Sequence, residues 1–201
     1  MSEAPSKVSL LSAAKTLFLA RGYSGTSVDT ICEKAGVSKG SFYHSFKSKE
    51  DLGLGVLQWS LETTAEALKA ELYTKKVASP VAQSIAYLRH LERSGETLWS
   101  QGCLLGTFAN ELSDSNPRLQ TAVTTLFTTV IKDMASRLKP LAARPEITCT
   151  ADELAEELLV ILEGSIVLAK AYRDPSRITR GIRSFRKTLE SQLSASAAKA
   201  A

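Results

Sequence analysis

Apolar side chains recur every three or four residues along nearly the whole chain and almost nowhere alternate with polar ones, which excludes a sheet as the organising element and predicts an all-α fold. Leu10, Ala14, Leu17 and Phe18 form the first stripe, closed near Arg21 and Gly22. Thr26, with Asp29 three residues on, has the spacing of a capping box and opens a second helix striped by Val28, Ile31, Cys32 and Ala35. Gly36 ends it. Ser38 is placed to cap a third helix carrying Phe42 and Phe46, and Ser48 with Asp51 repeats the pattern for a long fourth helix striped by Leu54, Leu57, Leu61, Ala65, Leu68 and Leu72. Beyond Pro80 the spacing predicts helices near 80–98, 103–113, 117–139, 151–173 and 176–194, with Pro117, Pro140, Pro145 and Pro175 marking the gaps.

A chain of 201 residues can bury roughly 70% of its unfolded surface, so it needs no disulfide or metal to fold. Its three cysteines, Cys32, Cys103 and Cys149, are an odd number without a CxxC pair, and its two histidines, His44 and His90, stand apart. No metal and no cofactor are expected. No apolar run approaches the roughly 20 residues that span a bilayer, and the start MSEAPSKVSLL lacks a secretory core, so the expectation is a cytoplasmic protein with no membrane partner. An enzyme is not expected either: there is no GxSxG elbow, phosphate-cradling glycine loop or HExxH helix, and neither histidine has a catalytic context. The net charge of +4 is modest but concentrated, because Lys34, Lys39, His44, Lys47 and Lys49 occupy a stretch without one acid.

Three short helices with a tight Gly36-Val37 turn between the second and third are the layout of a helix-turn-helix reader, whose third helix enters the major groove. Phe42 and Phe46, four apart, can anchor that helix, leaving Lys39, Ser41, Tyr43 and His44 to face outward. Gly40 would let the backbone approach a sugar-phosphate strand closely, and Lys49 would add charge where a phosphate sits at the start of the fourth helix. Any one of these residues alone reads as solvated surface; together, on a motif that needs their polarity, they point to double-stranded DNA.

The stretch from Leu10 to Leu52, with ARGYSGTSVDTICEKAGVSKGSFYHSFKSKEDL, resembles the DNA-binding domain of the TetR/AcrR family of transcriptional regulators. The resemblance implies an N-terminal three-helix helix-turn-helix domain, residues 1–50, followed by a larger helical effector-sensing and dimerisation domain, residues 51–201. It implies a homodimeric repressor on a near-palindromic operator, released by a small-molecule ligand or by electrophile or oxidant modification of a cysteine. By position, Thr26 and Tyr43 resemble the family's phosphate contacts, Lys39, Ser41 and His44 its groove-facing residues, and Lys49 its contact at the fourth helix.

In the last two helices Leu154, Leu158, Ile161, Leu162, Ser165 and Ala169 make one apolar face and Ile178, Ile182, Phe185, Leu189 and Leu193 another. Within a monomer these are core; the resemblance implies that the pair meets its symmetry mate as a four-helix bundle. Trp59, Tyr87, Trp99, Phe108 and Phe127 are candidates for a ligand pocket, with ordinary core packing as the alternative. The phrase SQGCLLGTFANELSDSNPRL is similar to the electrophile- and oxidant-sensing branch of the family, and this implies that Cys103 works with Lys170. Cys103 follows Gly102 at the start of a helix, where free N–H groups favour a thiolate, although a free cysteine also serves as a small buried hydrophobe. Cys32 lies on an apolar stripe and Cys149 in a loop, which makes both poorer candidates.

Overall fold

Serine hydroxyls set the helix starts in the first quarter of the chain, each by accepting a backbone N–H that the first turn cannot satisfy internally. The computed structural model describes residues 5–72, 79–112 and 114–197. After α1 (Pro5–Arg21), Ser27 accepts the Thr30 N–H at 3.1 Å and opens α2 (Val28–Ala35). Ser38 accepts from Ser41 at 3.1 Å to open α3 (Lys39–Ser45), and Ser48 from Asp51 at 3.0 Å to open α4 (Lys49–Leu72). The expected cap at Thr26 is displaced by one residue. Thr26 is 2% exposed and its hydroxyl donates to the Gly22 carbonyl at 2.7 Å, so it ties the turn and leaves the cap to Ser27, whose backbone is extended. Gly36 closes α2 in the left-handed region at φ 67°.

Helices α5 (Pro80–Trp99), α6 (Leu104–Leu112), α7 (Pro117–Ala142), α8 (Ala151–Tyr172) and α9 (Ser176–Ala197) follow, and every element among the described residues is helical. The gap expected at Pro140 is absent. Pro140 lies inside the last turn of α7 between Leu138 and Leu141, both fully buried, and the burial on either side outweighs one missing backbone donor. Among the described residues no helix is long and apolar enough to cross a membrane.

The chain forms two compact units, one of residues 1–65 and 101–127, the other of residues 66–100 and 128–201. In the first, Phe18, Tyr23 and Phe108 close a triangle of rings with centroids 5.2 to 5.5 Å apart, flanked by buried Leu10, Ile31, Phe42 and Leu52. Phe108, from α6, thus completes the core begun by α1, and α6 belongs to the reader's unit although it lies more than fifty residues beyond the third helix.

In the second unit α9 packs against α5 and α8. A Cβ at Gly181 would collide with the Ser165 hydroxyl, and one at Gly95 would stand 2.9 Å from Ile178, so these glycines set how closely the helices approach. Leu154, Leu158, Leu162, Ser165 and Ala169 of α8 and Ile178, Ile182, Phe185 and Leu189 of α9 are all buried inside the protomer. A guanidinium-carboxylate chain joins α5 to α9: Arg183 Nε donates to Glu92 at 2.6 Å, Arg186 Nε to Glu92 at 2.9 Å, and Arg186 Nη1 to Glu190 at 2.6 Å. Burial works to raise the Glu92 carboxyl, but the hydrogen bonds and charges of Arg183 and Arg186 outweigh it and hold the group below its ordinary 4.5. A depressed folded value means that the stabilisation is full above pH 4.5 and is lost as the pH falls through the folded value. Glu92→Gln should therefore melt below the wild type at pH 7, with the difference closing toward pH 3 in thermal scans on the order of one pH unit apart.

Candidate nucleic-acid interface

Helix α3 is seven residues long and is held from behind by two rings: Phe42 is fully buried, Phe46 nearly so, with centroids 6.1 Å apart. Four-residue spacing puts both on one side of the helix, and the other side is left to Lys39, Gly40, Tyr43 and His44, all exposed, with Ser41 half-buried at the rim. Tyr43 is 58% exposed while its ring packs edge-on with Phe42, so a core contact holds an otherwise exposed side chain. Lys39 is paired with Asp29 of α2 at 2.8 Å, and that hydrogen bond and charge hold its ammonium above the usual lysine range. Both partners are well exposed, so the pair adds little stability, and it orients the lysine at the start of α3. A Cβ built on Gly40 would meet only the Ser38 hydroxyl at 3.6 Å, an ordinary contact; nothing within the chain demands a glycine there.

Lys49 is placed differently from its neighbours. Its ammonium donates to the Tyr23 carbonyl at 3.0 Å and the Thr26 carbonyl at 3.1 Å, and lies 4.2 Å from the centre of the Tyr23 ring. Burial pushes that ammonium down, with the Glu111 charge acting in the opposite sense. Lys49 and Thr26 therefore meet at the turn between α1 and α2, each bonded to backbone carbonyls there. Three residues that the sequence reading did not single out act on the same unit. Glu111 accepts the Tyr23 and Ser24 N–H groups, and Asn116 and Arg118 reach Glu50 at 2.8 and 2.7 Å, Arg118 also touching Asp51 at 3.0 Å. Their partners lie 66 to 88 residues away in sequence, so no local pattern announces them.

Cys103 is half-buried and stands just before α6, its carbonyl accepting the Thr107 N–H at 3.0 Å; Gly102, in front of it, has φ 121°. A lysine from α1 lies within electrostatic reach. Burial pushes the Lys15 ammonium down, the charge of Cys103 acts on it in the opposite sense, and the group sits 5.8 Å from the centre of the Trp59 ring. Lys170 is an exposed residue of α8 in the second unit. Cys32 is buried, which pushes its thiol up, and Cys149 is half-buried in the α7–α8 loop.

The five aromatic candidates are dispersed. Phe108 is core of the first unit; Trp59 and Phe127 are half-buried there; Tyr87 is buried in the second unit beneath the Arg137 guanidinium at 5.1 Å, and Trp99 is half-buried in that unit. An open cleft of about 290 Å³ lies in the second unit between the end of α4 and α5, lined by Ala67, Leu68, His90, Arg93, Ser94, Thr97 and Leu98 and by none of those aromatics.

A short helix pinned by two phenylalanines, with its polar face turned to solvent after a glycine turn, completes a helix-turn-helix, and the chain is a helix-turn-helix DNA-binding transcriptional regulator. Residues 10–55 match the model of the bacterial regulatory proteins of the tetR family, and residues 80–184 match that of the C-terminal domain of LmrA/YxaF-like transcriptional regulators. The chain belongs to the TetR family. It is 32% identical over 176 residues to the HTH-type transcriptional repressor DhaR of Mycobacterium sp. strain GP1, covering 87% of each chain. It is 28% identical over 180 residues to the transcriptional regulator AcuR of Cereibacter sphaeroides, covering 88% of this chain and 82% of that one. The crystal structure of a regulatory protein TetR from Rhodobacter sphaeroides shares the fold with a TM-score of 0.75 at 26% identity, covering 92% of this chain and 98% of the other.

Proposed function

We propose that two copies of this chain hold a near-palindromic operator, repress the gene beside it, and let go when Cys103 is modified by an electrophile or oxidant. The outward face of α3 carries the DNA part of this reading: Lys39, Gly40, Ser41, Tyr43 and His44 line the side opposite the Phe42 and Phe46 anchors. Lys39, Ser41 and His44 read base edges, while Tyr43 touches phosphate. Thr26 and Lys49 act at the flanking turn, where their bonds to carbonyls fix the backbone and hold a positive charge beside the strand. Two-fold pairing is supported by a stripe that the protomer leaves bare on α8, where Val160, Val167, Leu168 and Tyr172 are 47 to 71% exposed around an open Gly164. Single exposed apolar residues are ordinary, but four on one helix around an open glycine support a pairing surface. The protein acts by occupancy, without a catalytic step, in the cytoplasm where the DNA is.

The test is operator binding by wild type and Gly40→Ala across a salt series. Wild-type affinity should fall steeply with salt through counterion release. Gly40→Ala places a better helix former in the first turn of α3 and meets no steric obstacle in the protomer, so it should fold at least as well and yet bind operator about tenfold more weakly. Unchanged affinity in Gly40→Ala, or wild-type affinity indifferent to salt, would contradict the assignment of α3. A second reading of sensing, a small ligand held without a covalent bond, rests on the cleft beside His90 and Arg93.

A further inference from the structure

Helix α6 lies along α1 in parallel register. Phe108 meets Phe18 at 5.5 Å between ring centres, and Glu111, one turn further on, reaches the turn that ends α1. Cys103, five residues before Phe108 and just ahead of the first turn of α6, interacts electrostatically with Lys15 of α1. At the far end the Glu111 carboxylate is shared between two backbone donors: Oε1 accepts the Tyr23 N–H at 3.1 Å and Oε2 the Ser24 N–H at 3.0 Å. Gly22, at φ +78°, is where a side chain would stand in the way, because a Cβ there would collide with that carboxylate. From the other side Lys49 holds the carbonyls of Tyr23 and Thr26. The turn from Gly22 to Ser27 is thus gripped by an anion on its N–H groups and a cation on its C=O groups, and its last residue is the cap that starts α2.

We propose that Glu111 is a positioning residue for DNA binding: by latching the Tyr23 and Ser24 amides it fixes the α1–α2 turn, and with it the start of the helix-turn-helix, to the end of α6. The inference rests on the DNA-binding reading above and assigns to α6 the job of aiming the reader. Glu111 is solvent-exposed and its carboxylate bonds to the turn, so its effect on DNA is exerted through the turn. The Ser24 amide lies at the surface and can turn to water when Glu111 is removed, while the part-buried Tyr23 amide loses its acceptor, so the aim of the motif is lost at a modest cost to the fold. Glutamine can accept one of the two N–H groups with its carbonyl oxygen but would turn its own N–H₂ toward the other, and so restores half the latch.

The experiment uses the full chain and a duplex selected by the wild-type protein from a random pool. Glu111→Ala and Glu111→Gln are compared with wild type for operator affinity, salt slope, thermal midpoint and hydrogen exchange at the Tyr23 and Ser24 amides. Glu111→Ala should bind about tenfold more weakly, with Glu111→Gln between it and wild type. The slope against salt should stay the same, because no phosphate contact is removed. Exchange at the two amides should quicken while the thermal midpoint moves by only about 1 to 3 °C. A Glu111→Ala variant that binds like wild type despite faster exchange, or whose exchange at Tyr23 and Ser24 is unchanged, overturns the latch. A change in the salt slope would show Glu111 acting on the DNA directly and overturns it as well. A wild-type protein that selects no duplex would instead sink the DNA-binding reading, and this proposal with it.

Discussion

Val167→Asp should leave a folded protomer that no longer pairs and no longer holds a palindromic site. Val167 is 59% exposed on α8, so an aspartate there stays in water and leaves the interior of the protomer untouched. In a two-fold interface the same substitution is met twice, and two carboxylates are brought together in a surface that has lost its water, each without a partner. Sedimentation should shift from dimer to monomer at micromolar protein while helicity is retained. Affinity for a two-half-site operator should fall by about a hundredfold, because the second reader no longer binds as part of the same particle. Affinity for a single half-site should be nearly unchanged, since α3 is intact. Leu189→Asp provides the contrast: Leu189 is 3% exposed within the protomer, and a charge there should unfold the second unit. A dimer that survives Val167→Asp would move the pairing surface away from the bare stripe on α8.

The second large effect concerns Cys103. N-ethylmaleimide should release operator DNA from wild type and from Cys149→Ser but not from Cys103→Ser, which should bind DNA normally before treatment. The thiol stands at the N-terminal end of α6 with the Lys15 ammonium within electrostatic reach, and the helix end and that positive charge favour the thiolate, the form that attacks. Cys32 is screened by burial, which also disfavours its thiolate. Lys15→Ala should slow modification by about tenfold, because the positive charge within electrostatic reach of the thiol is lost. Lys170→Ala should do so only if the lysine implied by the family resemblance is the one that acts, and the pair of variants assigns the role. Release of Cys103→Ser by electrophile to the full wild-type extent would remove the sensing role from Cys103 and place it on another nucleophile of the chain.

What local spacing controls was legible in advance. The serine caps at Ser38 and Ser48, the glycine stop at Gly36 and the Phe42 and Phe46 anchor follow from i to i+3 and i to i+4 relations, and they place α3 and its outward residues. Thr26 was misread because a threonine and a serine stood side by side with acceptable partners; the choice between them fell to the Gly22 carbonyl, which draws the Thr26 hydroxyl into the turn. The face of α8 from Leu154 to Ala169 was open to two readings, core or pairing surface; it is buried within the protomer, where Gly181 lets α9 approach Ser165, while the exposed residues at Val160, Val167, Leu168 and Tyr172 were not singled out. Glu111, Asn116, Arg118 and Lys15 were invisible, since an exposed-looking charge gains its role from a partner many turns away.

The ring of Phe108 bears on how regulators of this kind can exchange parts. A chimera cut after residue 50 would look like a clean transfer of a reader from one sensor to another. It would leave behind the third ring of the Phe18 and Tyr23 triangle, the carboxylate over Gly22, and Leu119, whose side chain lies 3.5 Å from the place of a Gly53 Cβ. The transplanted helices would arrive with one wall of their core missing. The heritable unit of DNA recognition in this chain is therefore discontinuous, and a workable graft must take residues 101–127 along with the first 65.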